Sequence, residues 1–311
     1  MRSAVLAAAL AITGLVVACG GKAHPEPPTG DDDADEDGPF VNRPDFEPTA
    51  FTVEVSGKGR PVIFIPGLGC PGEMWNETVE HLGERYESHV LTLAGFAGNK
   101  PIKPPLAAKV RKQLIRYIRS RKLEGAIVVG HSMGGFIAYW LGETAPPDLL
   151  GGIVVVDAGP GLDADAEEAR LLRNAWAQAG DDELPLQIRS VFSSMTSNPK
   201  KMEPFLGEIA KSDRQAIGDA IYEMVKTDVT DEVERIKVPA LIVLADGGLQ
   251  DRYKKVVESI PHHEVVVVRG TKHFVWFDDP QGFNTVLDKF LARTRSNHGS
   301  DSDDDDDNDD K

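Results

Sequence analysis

Apolar residues in this chain gather in short runs set apart by glycine, proline and charge, and the spacing within each run predicts its element. Phe51 to Val55 alternates apolar with polar residues, as a strand with one buried face does. Pro61 to Ile65, His89 to Leu93 and Ala126 to Val129 are short apolar runs. Gly152 to Val156, Ala240 to Leu244 and Glu264 to Val268 are β-branched, the pattern of strands covered on both faces of a parallel sheet. Between the third and fourth runs, Val110, Leu114, Tyr117 and Ile118 recur at helical spacing, with Lys109, Arg111, Lys112, Arg116 and Arg119 on the opposite face. Such a helix crosses over and brings the next strand in parallel. Phe136 to Leu141 continues as a buried helix, and Gly282 to Ala292 closes the series as another. Strands alternating with helices predict an α/β fold with a mostly parallel central sheet. The interval from about 160 to 230 has helical patterning, as in Leu171, Leu172, Ala175 and Trp176, but no clear strand. It is expected to form a helical cap inserted over one edge of the sheet.

The ends read differently from the body. Residues 1–18 carry one early cation, Arg2, and then a small and apolar run too short for a comfortable membrane span, which predicts a secretory signal. Val16-Val17-Ala18-Cys19-Gly20 resembles the bacterial lipobox, so Cys19 is the expected lipidation site. Gly20 stands where an inner-membrane retention signal would place Asp, which points to an outer-membrane or cell-surface anchor. Residues 19–48 are Pro-rich and acidic, including Asp31-Asp32-Asp33-Ala34-Asp35-Glu36-Asp37, and predict a disordered tether. Residues 298–311 form an acidic tail. Net charge is −16, and residues 1–37 with 301–311 hold 15 acids against three basic residues, leaving only −4 for the remainder. The acidity is a property of the ends, and it argues against nucleic acid as a partner. Residues 49–297 are long enough for one large domain with its own core. With Cys19 lipidated, Cys70 has no disulfide partner and is expected to be a small buried filler.

The most informative stretch is Gly130-His131-Ser132-Met133-Gly134, directly behind the fourth run and ahead of a helix. A serine on a sharp strand-to-helix turn needs residues without bulk two positions before and after it, and this is the nucleophile elbow pattern. Ser132 is the candidate nucleophile. The chain here resembles the α/β-hydrolase superfamily over roughly Phe51 to Arg293, most closely its cap-bearing serine esterase and lipase branch. Supporting stretches are Pro66-Gly67-Leu68-Gly69, Val238-Pro239-Ala240-Leu241, and Lys272-His273-Phe274 followed by Asp279-Pro280.

The resemblance implies that His273, between the last strand and the last helix, is the general base. It places the oxyanion hole at the backbone amides of Leu68 and Met133. Pro66-Gly67 stands where many relatives have His-Gly, which removes a loop hydrogen bond but keeps the Leu68 donor. Gly67-Leu68-Gly69-Cys70-Pro71-Gly72 formally matches a dinucleotide fingerprint, but Pro71 interrupts the turn and the strand ending at Leu93-Ala94-Gly95 lacks the ribose-binding acid. The triad acid is open at this point. The usual position, nine residues past Pro239, is Gly248; Asp157, which ends the preceding strand where some relatives carry an alternative acid, is the preferred candidate, with Asp246 and Asp251, flanking Gly248, as alternatives. The implied activity is hydrolysis of a small ester or related acyl substrate, of the carboxylic-ester-hydrolase type (EC 3.1.1), with no cofactor and no metal. Adjacent His262 and His263 make a poor ligand pair. The alternative is a binding protein at the cell surface that kept the fold and lost its acid.

Overall fold

Seven strands form one sheet in the order β1-β3-β2-β4-β5-β6-β7. They are β1 Phe51–Gly57, β2 Arg60–Ile65, β3 Tyr86–Leu93, β4 Ala126–His131, β5 Leu150–Val156, β6 Ala240–Ala245 and β7 His263–Val268, so each predicted run is a strand. All neighbours pair in parallel except β1, which runs antiparallel to β3 with Phe51 opposite Leu93. The difference follows from position. β1 is the edge strand, with Phe51 buried, Val53 partly covered and Val55 exposed, and Gly57 and Gly59, both at positive φ, turn the chain directly into β2 with no helix between. The computed structural model describes residues 46–296 except 147, 163–164 and 248–249. The signal, Cys19, most of the tether, the acidic tail and Gly248 lie outside the described residues.

The central strands carry the core. Every residue of β4, β5 and β6 is buried, which is why their sequences show no polar face. Each fully covered Val or Ile is worth roughly 1.5–3 kcal/mol of burial. Helices cover both faces. With those of the cap, the helices of seven residues or more are α1 Asn76–Leu82, α2 Leu106–Arg121, α3 Met133–Thr144, α4 Ala166–Ala177, α5 Leu184–Ser194, α6 Arg214–Lys226, α7 Gln250–Val257 and α8 Pro280–Ser296. The amphipathic pattern of α2 is realised with Val110, Leu114, Tyr117 and Ile118 inward. α3, apolar nearly all round, is buried from Met133 to Tyr139. Asp279 opens α8 by accepting the Gly282 N–H at 2.9 Å. No helix among the described residues is long and apolar enough to cross a membrane.

Among the described residues, the interval between β5 and β6 contains no strand. Asp165 caps α4 and Asp213 caps α6, each carboxylate accepting an N–H three residues on. α4 and α6 pack so closely that a Cβ on Gly218 would come 2.6 Å from the Arg173 carbonyl, and Arg173 pairs with Asp219 at 2.5 Å. The cap is fastened to the body at α6: the buried Glu223 carboxylate accepts the Ala107 and Ala108 amides at 2.9 and 2.8 Å, at the start of α2.

Candidate active site

Ser132 stands between the end of β4 and the start of α3 at φ 53°, ψ −118°. A side chain rarely tolerates such a backbone, which costs on the order of 1–3 kcal/mol unless its surroundings hold it. Here they do: Ser132 N–H donates to the Val156 carbonyl at 3.0 Å, and Phe136 N–H to the Ser132 carbonyl at 3.0 Å. The turn is possible because its flanks lack side chains. A Cβ on Gly130 would collide with the Gly134 carbonyl, and one on Gly134 with the Ile65 carbonyl.

His273 follows β7 and is largely buried, with 12 % of its side chain exposed. Its Nδ1 lies 2.7 Å from Asp157 Oδ2. Asp157 ends β5 at φ 45°, tied back by its own N–H to the Val243 carbonyl at 2.8 Å, and its Oδ1 accepts the Ala245 amide at 3.1 Å. The carboxylate is thus oriented from both oxygens. An ionised carboxylate only accepts, so Nδ1 of His273 is the donor to Asp157, which leaves Nε2 as the nitrogen free to take a proton in the neutral tautomer. His273 and Ser132 line the same cavity.

The other carboxylates are elsewhere. Asp246 holds Arg269 at 3.0 Å and the Gly270 amide at 3.2 Å, closing the turn after β7. The Gly270 N–H, aided by Arg269, lowers its carboxyl below the usual range. Asp251 is exposed on α7. Neither is brought to His273 by any hydrogen bond among the described residues.

Leu68 lines the cavity, and the Pro66 to Cys70 loop runs beside the nucleophile: a Cβ on Gly67 would come 3.2 Å from Ser132 Cβ. Met133 opens α3, where the first amides have no intrahelical partner. The Leu68 and Met133 N–H groups have no hydrogen-bond partner among the described residues. The rest of the lining is mostly apolar, with Trp176, Ile188, Phe192, Met195 and Ile217 from the cap and Phe274 from the body, and Ser212 and Arg214 of the cap add polar groups to it. Cys70 also lines it, but burial pushes its thiol up to about 12, so it stays protonated and inert at neutral pH. Among the described residues no three His, Cys, Asp or Glu side chains are placed to hold a metal ion.

Two supporting residues escaped the sequence reading. His131 is buried, and its Nε2 lies 3.0 Å from the His273 carbonyl, which can only accept; Nε2 therefore carries a proton. Burial first, and the neighbouring His273 second, push its pKa well below the histidine range, so it is neutral. Its place in the elbow motif was visible, but nothing in the sequence shows what the ring touches. Asp278 accepts Lys272 N–H at 2.7 Å through Oδ2, and Thr196 Oγ1–H at 2.5 Å and the Ser197 amide at 2.7 Å through Oδ1. It staples the His273 loop to the cap, and no spacing distinguishes it from its neighbour Asp279.

A family model described as the alpha/beta hydrolase family matches residues 62–286. The pimeloyl-[acyl-carrier protein] methyl ester esterase of Vibrio vulnificus is 20 % identical over 253 residues, covering 77 % of this chain and 97 % of that protein. The (E)-2-((N-methylformamido)methylene)succinate hydrolase of Acinetobacter baylyi is 24 % identical over 255 residues, covering 76 % and 92 %. Among solved structures, a thermophilic esterase from Thermogutta terrifontis superposes with a TM-score of 0.70 at 20 % identity, covering 78 % of this chain and 93 % of that one.

Proposed function

The chain belongs to the alpha/beta hydrolase family, and on that premise we propose that it is a serine hydrolase cleaving an ester or related acyl substrate. The observation that carries this reading is the 2.7 Å contact between Asp157 and His273 in the cavity that Ser132 lines. His273 Nε2 takes the proton from the Ser132 hydroxyl as its oxygen attacks the substrate carbonyl. The tetrahedral oxyanion is received by the Leu68 and Met133 amides. Collapse breaks the ester C–O bond, the alcohol leaves with the proton from His273, and an acyl-enzyme remains. Water, deprotonated by the same nitrogen, then releases the acid and restores the serine. Asp157 keeps Nδ1 protonated and stabilises the imidazolium formed in each half. A hydrogen-bonded acid at His273 supports an enzyme over a surface binding protein that lost its acid. The mostly apolar lining, whose Arg214 is already paired with Asp181 and the Ala179 carbonyl, supports an acyl group without charge near the scissile bond.

Hydrolysis of p-nitrophenyl butyrate by wild type and Ser132→Ala tests the reading. Loss of about 10⁴-fold or more in kcat is expected. Wild-type turnover matched by Ser132→Ala would refute it. The N-terminal reading belongs to the same proposal: a lipidated Cys19 holds the enzyme outside the inner membrane. Cys19→Ala is expected to move the protein from the membrane to the soluble fraction of the producing cell, and unchanged fractionation would reject the anchor.

A further inference from the structure

Ser212 lies in the cap two residues before α6, is 9 % exposed and lines the cavity. Its hydroxyl donates to the Gly69 carbonyl at 3.2 Å, and its oxygen accepts the Ala97 amide at 2.9 Å. Next to it, Asp213 N–H donates to the Gly95 carbonyl at 2.7 Å. One dipeptide of the cap therefore grips both the loop after β2 and the loop after β3.

The grip on Gly69 reaches further than one residue. Across a planar trans peptide, the carbonyl of one residue and the N–H of the next point in opposite directions. The Gly69 carbonyl and the Cys70 N–H are one such unit, and the Cys70 N–H donates to the Gly67 carbonyl at 3.1 Å. The Gly67 carbonyl and the Leu68 N–H are the next. A continuous chain thus runs from Ala97 N–H to Ser212 Oγ–H, through the Gly69-Cys70 peptide and the Gly67-Leu68 peptide, to the Leu68 N–H. Each bond in such a series orients the following group and strengthens it by polarisation. Gly69 sits at φ 71°, and a Cβ there would come 3.0 Å from Ile217 Cδ1 of the cap, so the turn is held by packing as well.

We propose that Ser212 is a positioning residue of the oxyanion hole: its hydroxyl heads a hydrogen-bond chain of two peptide units that aims and polarises the Leu68 amide. The inference rests on the reading that Leu68 receives the oxyanion. It assigns the cap a part in the chemistry, besides roofing the cavity.

The test compares wild type, Ser212→Ala and Ser212→Thr on p-nitrophenyl butyrate, with active sites counted by fluorophosphonate titration. A trifluoromethyl ketone is measured alongside as a mimic of the tetrahedral state. Ser212→Ala is expected to lower per-site kcat about 10-fold, short of the ~10²–10³ lost when an oxyanion donor is deleted outright. It should raise the Ki of the ketone by a similar factor and leave KM within about twofold. Ser212→Thr, which keeps the hydroxyl, should recover most of the loss. Unchanged per-site kcat and Ki in Ser212→Ala would overturn the proposal, and so would a lower melting temperature with per-site kcat intact. If Ser212→Ala does not fold, Ser212→Cys, a weak donor of similar shape, is expected to show the same pattern at smaller size; parity with wild type in kcat and Ki then overturns it. Absence of fluorophosphonate labelling in folded wild type would instead bring down the hydrolase reading itself, and this inference with it.

Discussion

Asp157 accepts from Ala245 with one oxygen and meets His273 with the other, a placement that supports it over Asp246 and Asp251 as the acid of the proposed triad. The family usually carries its acid after β6, but the glycine at that position, Gly248, already turns the sequence reading to Asp157 at the end of β5. There both carboxylate oxygens are occupied. Asp157→Asn is expected to lower kcat by about 10⁴ through loss of the productive tautomer, and Asp246→Asn by less than about twofold, in the same ester assay. His131 yields a second expectation. Its folded pKa is depressed by burial, so the unfolded chain binds the extra proton, and its stabilising contribution is present above ~6.5 and lost as pH falls. Each pH unit below that point should cost up to about 1.4 kcal/mol, read from urea midpoints. His131→Gln, an amide that cannot titrate there, should flatten that limb.

Among elements, the turn from β4 into α3 was legible and its fastenings were not. Gly130 and Gly134 announce the elbow because only glycine fits there, and the backbone contacts at both positions are the physical reason. Gly134→Ala must displace the Ile65 carbonyl and is expected to destabilise the fold by on the order of 3 kcal/mol in a denaturant melt. The staple at Asp278 left no trace in the sequence, since its partners at Thr196, Ser197 and Lys272 are scattered over two loops. Asp278→Ala strands several donors at once and is expected to cost about 2–3 kcal/mol. It should also lower kcat, because the His273 loop loses its tie to the cap. Helix patterning identified α2, α3 and α8, since each shows a long apolar face or an apolar body. The antiparallel turn of β1 was not readable, because alternation says which face is buried and nothing about direction.

For the whole molecule, apolar periodicity was enough to anticipate the seven strands and the strand-free interval after β5. What it could not convey is how the cap sits. Docking is carried by Glu223 at the start of α2, Ser212 on two loops and Asp278 at the base of α8, contacts between residues roughly 80 to 140 positions apart. The roofed, apolar cavity sets an expectation for specificity. Short and medium p-nitrophenyl esters should be turned over faster than the palmitate by about 10-fold or more, since a long chain has to pass Trp176 and Phe192 of the cap.

The proposed hydrolysis requires Ser132 to be a nucleophile activated through His273 and Asp157. Intact-mass spectrometry after treatment with a fluorophosphonate tests it most directly, because the reagent adds covalently only to an activated serine. The account predicts a single adduct on wild type, mapped to the peptide holding Ser132, absent in Ser132→Ala and strongly slowed in Asp157→Asn. Folded wild-type protein that gains no mass, or an adduct that persists in Ser132→Ala, would contradict it.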